Sequence, residues 1–284
     1  MESFEERNMT DAKIRTYARS AGETIAPTVI ETDNVGLVDA MIEIHAVDRA
    51  IPGYFARPET GANWPIILVL SEAFGLHEHI MDVARRLAKE GYIAIAPDLM
   101  VRQGDPLSFD NVGKLVSDLL LHIPDAQVMS DLDATLDWAK AEGGDASRIG
   151  ATGFCWGGRW IWLYAAHRPL NAAVAWYGVL DGHGSPIFPD EPDLFPAHPI
   201  DVAAKLQGPV LGLYGAEDNA IPVPTVHNMR AALERARDPS RIDVFDGAGH
   251  AFFADYRDSY VPLAATEGWR RMRDWFSQHM DVQR

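Results

Sequence analysis

The stretch that decides the fold is residues 153–158, which read Gly-Phe-Cys-Trp-Gly-Gly. Residues 148–152 before it form a short apolar run typical of a buried strand, and residues 159–167 after it have the composition of a helix. A residue held between glycines at a strand-to-helix turn is the pattern of a nucleophile elbow, with Cys155 where serine is usual. The glycines let strand and helix approach closely, and the Trp156 amide lies at a helix N-terminus that can stabilise an oxyanion. The alternative is that Cys155 is an ordinary buried small side chain.

Two downstream segments supply the partners that a nucleophile needs. Residues 209–215 are an apolar strand followed at once by Glu217 and Asp218, and carboxylates after a parallel strand lie on the ligand side of the sheet. We choose Asp218 as the acid and assign Glu217 to shaping the loop. His250 lies on a glycine-rich loop after a second short strand, residues 241–245. Of the ten histidines, any of which could be a surface or core residue, only His250 combines this placement with the triad order of nucleophile, acid and histidine.

The chemistry of these residue types defines their roles. The thiolate of Cys155 is the nucleophile. His250 takes the thiol proton or pairs with the thiolate, then protonates the leaving group and activates water. Asp218 orients the imidazole and stabilises the imidazolium. The sequence therefore predicts acyl transfer to water through a thioester, with no cofactor.

A further carboxylate lies upstream, in the loop that follows a buried strand at residues 64–70. In hydrolases with a nucleophile elbow, the loop after the corresponding strand supplies the second amide that stabilises the oxyanion. Here the loop carries Glu72, which is either a solvated loop acid or a group at the mouth of the site that acts on the thiol proton. In the second case we expect burial to raise its pKa.

Six motifs occur in order along the chain: residues 71–75 (Ser-Glu-Ala-Phe-Gly), 97–99 (Pro-Asp-Leu), 153–158, 176–178 (Trp-Tyr-Gly), 215–218 (Gly-Ala-Glu-Asp) and 247–252 (Gly-Ala-Gly-His-Ala-Phe). With them the chain resembles the dienelactone hydrolase family, carboxymethylenebutenolidase-like members of the α/β-hydrolase superfamily, over roughly residues 25–280. The resemblance implies the same triad and oxyanion amides from Ala73 and Trp156. It also implies that Glu72 holds the resting thiol until substrate binding redirects its side chain.

The best-known members of that family bind a substrate carboxylate with two arginines. One matching position is Arg102, which either pairs with an anionic substrate or is an ordinary surface arginine. The second falls at Ala254, and Arg257 is nearby but out of register. The position after the histidine is Ala251, where those members have serine. The natural substrate is therefore a small lactone or ester, or alternatively a larger neutral aryl or acyl ester or thioester.

Aromatic residues beside the predicted site favour the broader esterase. Trp176 and Tyr177 end an apolar strand at residues 172–177, and Phe252 follows the catalytic histidine. We predict that these three contribute to substrate binding together with Arg102, although Trp176 could equally belong to the core. A non-hydrolytic protein that uses the thiol for redox chemistry or ligand binding is a third candidate, because fold alone does not imply activity. The complete set of nucleophile, acid and histidine favours an enzyme.

The pattern of apolar segments predicts one α/β domain at residues 25–284, with a mostly parallel central sheet and helices on both faces. Its predicted elements include two antiparallel strands at 41–45 and 51–56, a helix around residues 80–88 that ends at Gly91, a strand at 92–96, a helix around 132–139 and a last helix at about 263–279. A charged extension at residues 1–24 precedes the domain. We interpret it as a surface helix or a partner contact, such as the arm of a homodimer.

The segment at residues 181–199 is rich in proline, glycine and aspartate and shows no periodicity. Long loops of this kind are often functional. Four apolar side chains, those of Ile187, Phe188, Leu194 and Phe195, could line or cover a pocket. The segment is therefore either a lid or a surface excursion that packs on itself.

Composition narrows the partners and the compartment. The net charge of −16 argues against binding to nucleic acid or an anionic membrane surface. No apolar run approaches the length of a membrane span, and the charged N-terminal residues lack the apolar core of a secretory signal. One cysteine cannot form an internal disulfide, and a catalytic thiol suits the reducing cytoplasm. The spacing of histidines and cysteine predicts no metal site, and no phosphate-binding loop is present.

Overall fold

The computed structural model describes residues 17–183 and 191–280, which form an eight-stranded sheet with helices on both faces. The strands are β1 Leu37–His45, β2 Ala50–Pro58, β3 Trp64–Leu70, β4 Ile93–Pro97, β5 Gly144–Phe154, β6 Ala172–Trp176, β7 Val210–Gly215 and β8 Arg241–Phe245. Their order in the sheet is β1-β2-β4-β3-β5-β6-β7-β8. Strand β2 is antiparallel to β1 and β4, and the remaining pairs are parallel.

Seven α-helices lie within the described residues: α1 Glu78–Lys89, α2 Val112–Asp118, α3 Asp125–Ala141, α4 Trp156–His167, α5 Pro199–Val202, α6 Val223–Ala236 and α7 Pro262–Met280. The helices cover both faces of the sheet, as two successive positions of β5 show, because successive side chains of a strand point to opposite faces. Thr152 Oγ1 lies 3.5 Å from the sulfur of Met272 in α7, whereas a side chain at position 153 would point at Ile161 in α4. The predicted fold class is confirmed.

The central parallel strands are buried on both faces, as their continuous apolar sequences require. In β3, all residues after Trp64 are buried, and β6 is buried throughout. The ends of β3, β5, β6 and β7 lie side by side, so the loops that follow them share one edge of the sheet. Strand β5 begins at Gly144, four residues earlier than predicted, because residues 144–145 pair with the start of β3 across a register shift.

The charged N-terminal extension is described from residue 17 onward, and residues 1–16 lie outside the described residues. The described part packs on its own chain: Ala18 and Ala21 are buried, and the Ile25 amide donates to the Tyr256 carbonyl at 2.9 Å. Within residues 17–24, the described part of this extension, the helical structure is a single turn of 3-10 helix, Arg19–Ala21. The predicted role in a homodimer stays a prediction.

The segment at 181–199 is described except for residues 184–190, so Ile187 and Phe188 lie outside the described residues. The Leu194 carbonyl accepts a hydrogen bond from the Asp125 amide at 2.9 Å, and Phe195 is buried beneath the Arg159 guanidinium. This part of the segment is therefore packed against α3 and α4. Within residues 17–183 and 191–280, no helix is both long enough and apolar enough to span a membrane.

Candidate active site

The turn between β5 and α4 has the backbone of a nucleophile elbow. Cys155 precedes the helix with φ 51° and ψ −110°, a conformation that non-glycine residues seldom adopt. The residues two positions before and after it are glycines for a steric reason. A Cβ at Gly157 would lie 2.5 Å from the Ser71 carbonyl oxygen, and one at Gly153 would lie 2.6 Å from the Gly157 carbonyl oxygen. The close approach of β3, β5 and α4 thus lifts Cys155 out of the strand.

The structure brings together the three residues predicted as a triad. His250 Nε2 lies 3.1 Å from Cys155 Sγ, and His250 Nδ1 lies 2.8 Å from Asp218 Oδ2. The other oxygen of Asp218 accepts hydrogen bonds from the amides of Ala220 and Ile221, at 2.8 and 2.9 Å. These bonds hold the buried carboxylate on the imidazole, which is why Asp218 rather than Glu217 faces His250. The arrangement has the geometry needed for proton transfer between sulfur and imidazole.

The electrostatics of His250 favour its charged form. Burial lowers the pKa of this imidazole, but the Cys155 sulfur and the Asp218 carboxylate outweigh burial and raise the pKa to about 10. His250 is therefore an imidazolium at neutral pH when the sulfur beside it is a thiolate. An ion pair of this kind is an activated nucleophile together with a general acid.

The two predicted oxyanion amides lie on adjoining segments. Trp156 is the first residue of α4, and Ala73 lies in the loop after β3. A hydrogen bond of 3.0 Å from the Gly157 amide to the Ser71 carbonyl joins these segments. Neither the Trp156 nor the Ala73 amide donates a hydrogen bond within the described part of the chain. Both amides can therefore serve a substrate oxygen.

Glu72 is fully buried, and its partners differ from those expected. The Tyr256 hydroxyl donates to Glu72 Oε2 at 2.7 Å, and His77 Nε2 lies 3.5 Å from the same oxygen. The thiol has His250 as its partner, so in this structure Glu72 does not hold the thiol as the resemblance implied. The expected rise in its pKa was wrong. Burial does raise the pKa of Glu72, but the nearby His77 imidazole and the charges of His79 and Arg257 lower it to about 2.

Sequence reasoning missed His77 and Tyr256 and set Arg257 aside as out of register. His77 immediately precedes α1, directly after the Glu72 loop, and the other two follow His250 by six and seven residues. Arg257 acts electrostatically on Glu72, Cys155 and Tyr177, and its Nε donates to the Ala21 carbonyl at 3.2 Å. The sequence did contain a signal for these residues: histidines and tyrosines are frequent in the segments that follow Glu72 and His250.

Tyr177 lies beside the triad, whereas two other predicted substrate-binding aromatics do not line the site. The Tyr177 ring is 5.3 Å from the His250 ring and its backbone has φ 38°. Trp176 is fully buried, and its indole N–H donates to Thr152 Oγ1 at 3.2 Å on the side of α7. Phe252 is fully buried against Trp176, Tyr177 and Phe245. The prediction that Trp176 and Phe252 contact substrate is corrected: both are core residues.

Arg102 is held by two aspartates. Its guanidinium binds Asp131 at 2.6 and 2.9 Å, and its Nε lies 2.8 Å from Asp48 in the turn between β1 and β2. Because Asp131 is buried, this pair holds the turn to α3. Arg102 is therefore a structural ion-pair residue, and the predicted role in binding substrate is corrected. Among residues 17–183 and 191–280, no group of three or more His, Cys, Asp or Glu side chains could hold a metal ion.

Comparison with known proteins assigns the chain to a family. A sequence model of the dienelactone hydrolase family matches residues 51–280. The chain belongs to the dienelactone hydrolase family. Like its relatives, this family member is a hydrolase. The matched span includes the nucleophile elbow, the loop that carries Glu72, and the segments that carry Asp218 and His250.

Relatives and solved structures agree with this family. A protein of Methylorubrum extorquens named "Putative carboxymethylenebutenolidase" is 49% identical over 265 residues, which cover 93% of this chain and 89% of the relative. A protein of the same name from Escherichia coli is 47% identical over 261 residues, covering 91% of this chain and 94% of the relative. The crystal structure of a "Putative Dienelactone Hydrolase" from Klebsiella pneumoniae is 49% identical, with a TM-score of 0.81 over 85% of this chain and 99% of that one.

Proposed function

We propose that this member of the dienelactone hydrolase family hydrolyses small carboxylic esters and lactones with a Cys155–His250–Asp218 triad. The observation that carries the proposal is the continuous chain of contacts from Asp218 through both nitrogens of His250 to the Cys155 sulfur. The relatives from Methylorubrum extorquens and Escherichia coli are both named "Putative carboxymethylenebutenolidase", and these names support a lactone or ester as substrate. The absence of a cofactor from the reaction follows from the chemistry, because a thiolate and an imidazole suffice for acyl transfer.

The reaction proceeds in two halves. The Cys155 thiolate attacks the carbonyl carbon, and the new C–S bond leaves a tetrahedral oxyanion that the amides of Ala73 and Trp156 stabilise. Collapse breaks the ester C–O bond, and the His250 imidazolium gives its proton to the departing oxygen. His250 then takes a proton from water, the resulting hydroxide attacks the thioester, and the C–S bond breaks. The carboxylic acid leaves, and the thiolate and imidazolium are restored.

An arginine lies beside this site and can meet an anionic substrate. Arg257 acts electrostatically on Cys155, Glu72 and Tyr177. Because the residue aligned with the second family arginine is Ala254, we assign recognition of a substrate carboxylate to Arg257. A lactone that carries a carboxylate is therefore the first substrate class to test.

A neutral aryl or acyl ester is the second candidate substrate. The observation that favours it is the engagement of Arg102 by Asp48 and Asp131, which leaves Arg257 without a second arginine at the family positions. A site with one partly buried cation binds a carboxylate less strongly than a site with two. The enzyme would then share its nucleophile with the family and differ from it in substrate.

The deciding measurement is kcat/KM for a carboxylate-bearing dienelactone and for a neutral aryl acetate, with wild type and Cys155→Ala. We expect turnover of at least one ester by wild type, and a loss of about 10³-fold or more in Cys155→Ala, because the covalent route is removed. Preference for the dienelactone identifies an anion site at Arg257, and preference for the acetate identifies the broader esterase. An active Cys155→Ala variant with an unchanged unfolding temperature would refute the mechanism.

The same enzyme preparation distinguishes ester hydrolysis from the non-hydrolytic alternative, through alkylation of the thiol. Cys155 is the one cysteine of the chain, so alkylation with iodoacetamide reports on this thiol alone. Alkylated enzyme should lose ester hydrolysis in proportion to the label incorporated. A protein that binds esters, reacts with iodoacetamide and yet releases no acid would instead be a thiol-dependent binding protein.

A further inference from the structure

A cluster of buried and partly buried polar side chains lies next to the proposed nucleophile. It surrounds the Glu72 carboxylate and draws its members from three other parts of the chain: His77 and His79 at the start of α1, Tyr177 after β6, and Tyr256 and Arg257 downstream of His250. We call these six residues the Glu72 cluster. Two contacts connect it with the triad. The Tyr177 ring lies 5.3 Å from the His250 ring, and the carbonyl of Ser71, the residue before Glu72, accepts a hydrogen bond from the Gly157 amide, two residues after Cys155. The Glu72 cluster therefore adjoins the turn that carries the thiol.

One hydrogen bond directs the Glu72 carboxylate. Oε2 accepts from the Tyr256 hydroxyl at 2.7 Å, whereas His77 Nε2 stands 3.5 Å from this oxygen, beyond a good hydrogen bond. Oε1 has no hydrogen-bond partner among the described residues. A buried carboxylate with one short donor turns toward that donor, because an unpaired charge in the protein interior is costly. Without the Tyr256 hydroxyl, Glu72 would have to find another donor.

The described N-terminal residues hold Tyr256 in place from outside. We call residues 17–28 the N-terminal strap. The Tyr17 ring stacks on the Tyr256 ring, with centroids 4.7 Å apart and planes 14° apart. Three consecutive residues, 255–257, are bonded to the strap: Thr28 Oγ1 donates to the Asp255 carbonyl, the Ile25 amide to the Tyr256 carbonyl, and Arg257 Nε to the Ala21 carbonyl. The orientation of Tyr256 is thus set by a segment that contributes no residue to the triad.

We propose that Tyr256 is a positioning residue that draws the Glu72 carboxylate away from the Cys155 thiol, and that the N-terminal strap keeps Tyr256 in this position. The inference rests on the proposed role of Cys155 as the nucleophile. With Glu72 held by Tyr256, the sulfur pairs with His250, as observed. With Glu72 released, its negative charge approaches the sulfur, disfavours the thiolate and accepts a hydrogen bond from the protonated thiol.

The test is the pH dependence of Cys155 alkylation by iodoacetamide in wild type, Tyr256→Phe and the double variant Tyr256→Phe/Glu72→Gln. Phenylalanine keeps the ring stack with Tyr17 and removes the hydroxyl. We expect the pH midpoint of alkylation to rise by about one unit in Tyr256→Phe, with about tenfold slower reaction below the midpoint, because a like charge has moved closer to the sulfur. In the double variant the rise should disappear, since the amide of glutamine carries no charge.

The matched control is Tyr164→Phe, which removes another buried phenol that donates to a carboxylate, Asp133, near the far end of α4. Its alkylation profile should equal that of wild type. An unchanged or lowered midpoint in Tyr256→Phe would overturn the proposal. So would a rise that persists in the double variant, because the effect would then not pass through Glu72.

The role of the strap is tested with Tyr17→Ala, which removes the ring stack and keeps the Tyr256 hydroxyl. We expect a rise of the midpoint in the same direction and smaller than in Tyr256→Phe, and no rise would refute the role of the strap. Alkylation needs no ester, so these outcomes do not depend on the proposed hydrolysis. Conversely, an enzyme that hydrolyses esters while Tyr256→Phe leaves its thiol unchanged would keep the proposed function and lose this inference.

Discussion

At the scale of single residues, backbone strain is concentrated at the candidate site. Cys155, Tyr177 and Ala251 all have positive φ, at 51°, 38° and 60°, although none is glycine. Cys155 is the proposed nucleophile, Ala251 follows the proposed base, and the Tyr177 ring contacts the ring of that base. Residues in this region of φ and ψ cost of order 1–3 kcal/mol each and persist only where the surrounding structure imposes them. The sheet and its loops therefore hold the reacting groups in a geometry that an isolated peptide would not adopt.

The raised pKa of His250 predicts how activity depends on pH. Since this pKa is raised to about 10, mainly by the Cys155 sulfur, the imidazolium persists through neutral pH and loses its proton near pH 10. We expect kcat/KM to fall as pH rises through about 10, because the acid that protonates the leaving group is lost. For the same reason the stability that the neighbours of His250 contribute to its imidazolium form is present below the unfolded-state pKa of about 6.5 and is lost as pH rises through about 10. Steady-state kinetics from pH 6 to 11, with circular dichroism at each pH as the control for folding, would check this. A decline centred near pH 7 would contradict it.

At the scale of elements, the site depends on how closely the loop after β3 approaches the start of α4. A Cβ atom at Gly157 would lie 2.5 Å from the Ser71 carbonyl oxygen and 2.6 Å from the Leu70 carbonyl oxygen. Its own amide donates to Ser71 at 3.0 Å. The two oxyanion segments are therefore in contact through a glycine, and their separation is determined by the absence of a side chain.

Gly157→Ala tests this contact. The added methyl group must push the two segments apart, because backbone atoms cannot move aside as a flexible side chain does. We expect a loss of about 1–3 kcal/mol of unfolding free energy and a fall in kcat larger than any change in KM, since the Ala73 and Trp156 amides would separate. Urea unfolding and steady-state kinetics measure the two effects. Gly249→Ala is the steric control, because its Cβ would meet only the Glu217 carbonyl, at 3.7 Å. Equal stability losses in both variants would contradict the argument.

At the scale of the whole molecule, a buried ion pair ties the elbow helix to the rest of the fold. Arg159 in α4 binds both oxygens of Asp125 at the start of α3, at 3.0 and 3.1 Å, and donates to the Ala197 carbonyl at 2.9 Å. Burial opposes both charges: it lowers the pKa of Arg159 and raises that of Asp125. The pair thus joins two helices and the segment after residue 190, and Arg159 is one turn from Cys155, the proposed nucleophile.

Asp125→Ala should therefore destabilise the protein strongly. The variant leaves the Arg159 charge buried without its carboxylate, and breaking a buried pair in this way costs about 3–5 kcal/mol. The double variant Asp125→Leu/Arg159→Met should lose less, because no charge remains to be desolvated. Urea unfolding of both variants measures the difference. A double variant less stable than Asp125→Ala would show that packing at this position matters more than charge.

The strand and helix pattern, the order of the triad and the family motifs were predictable because they depend on short stretches of sequence. Cys155, Asp218 and His250 each follow a strand that its own residues specify, and parallel strands bring their ends together at one edge of the sheet. Trp176 was harder to assign, since a parallel strand buried on both faces has no polar alternation to show which side chains face the site.

The sequence alone therefore determined the fold class, the family and the three residues proposed as a triad. The tertiary structure alone decided the partners of the charged residues. Arg102 meets Asp48 and Asp131, and Glu72 meets Tyr256, across sequence separations from 29 to 184 residues. Local sequence sets where a strand ends and which side chain follows it. The charge and orientation of a buried side chain depend on every group that packs around it, and long-range folding brings those groups together.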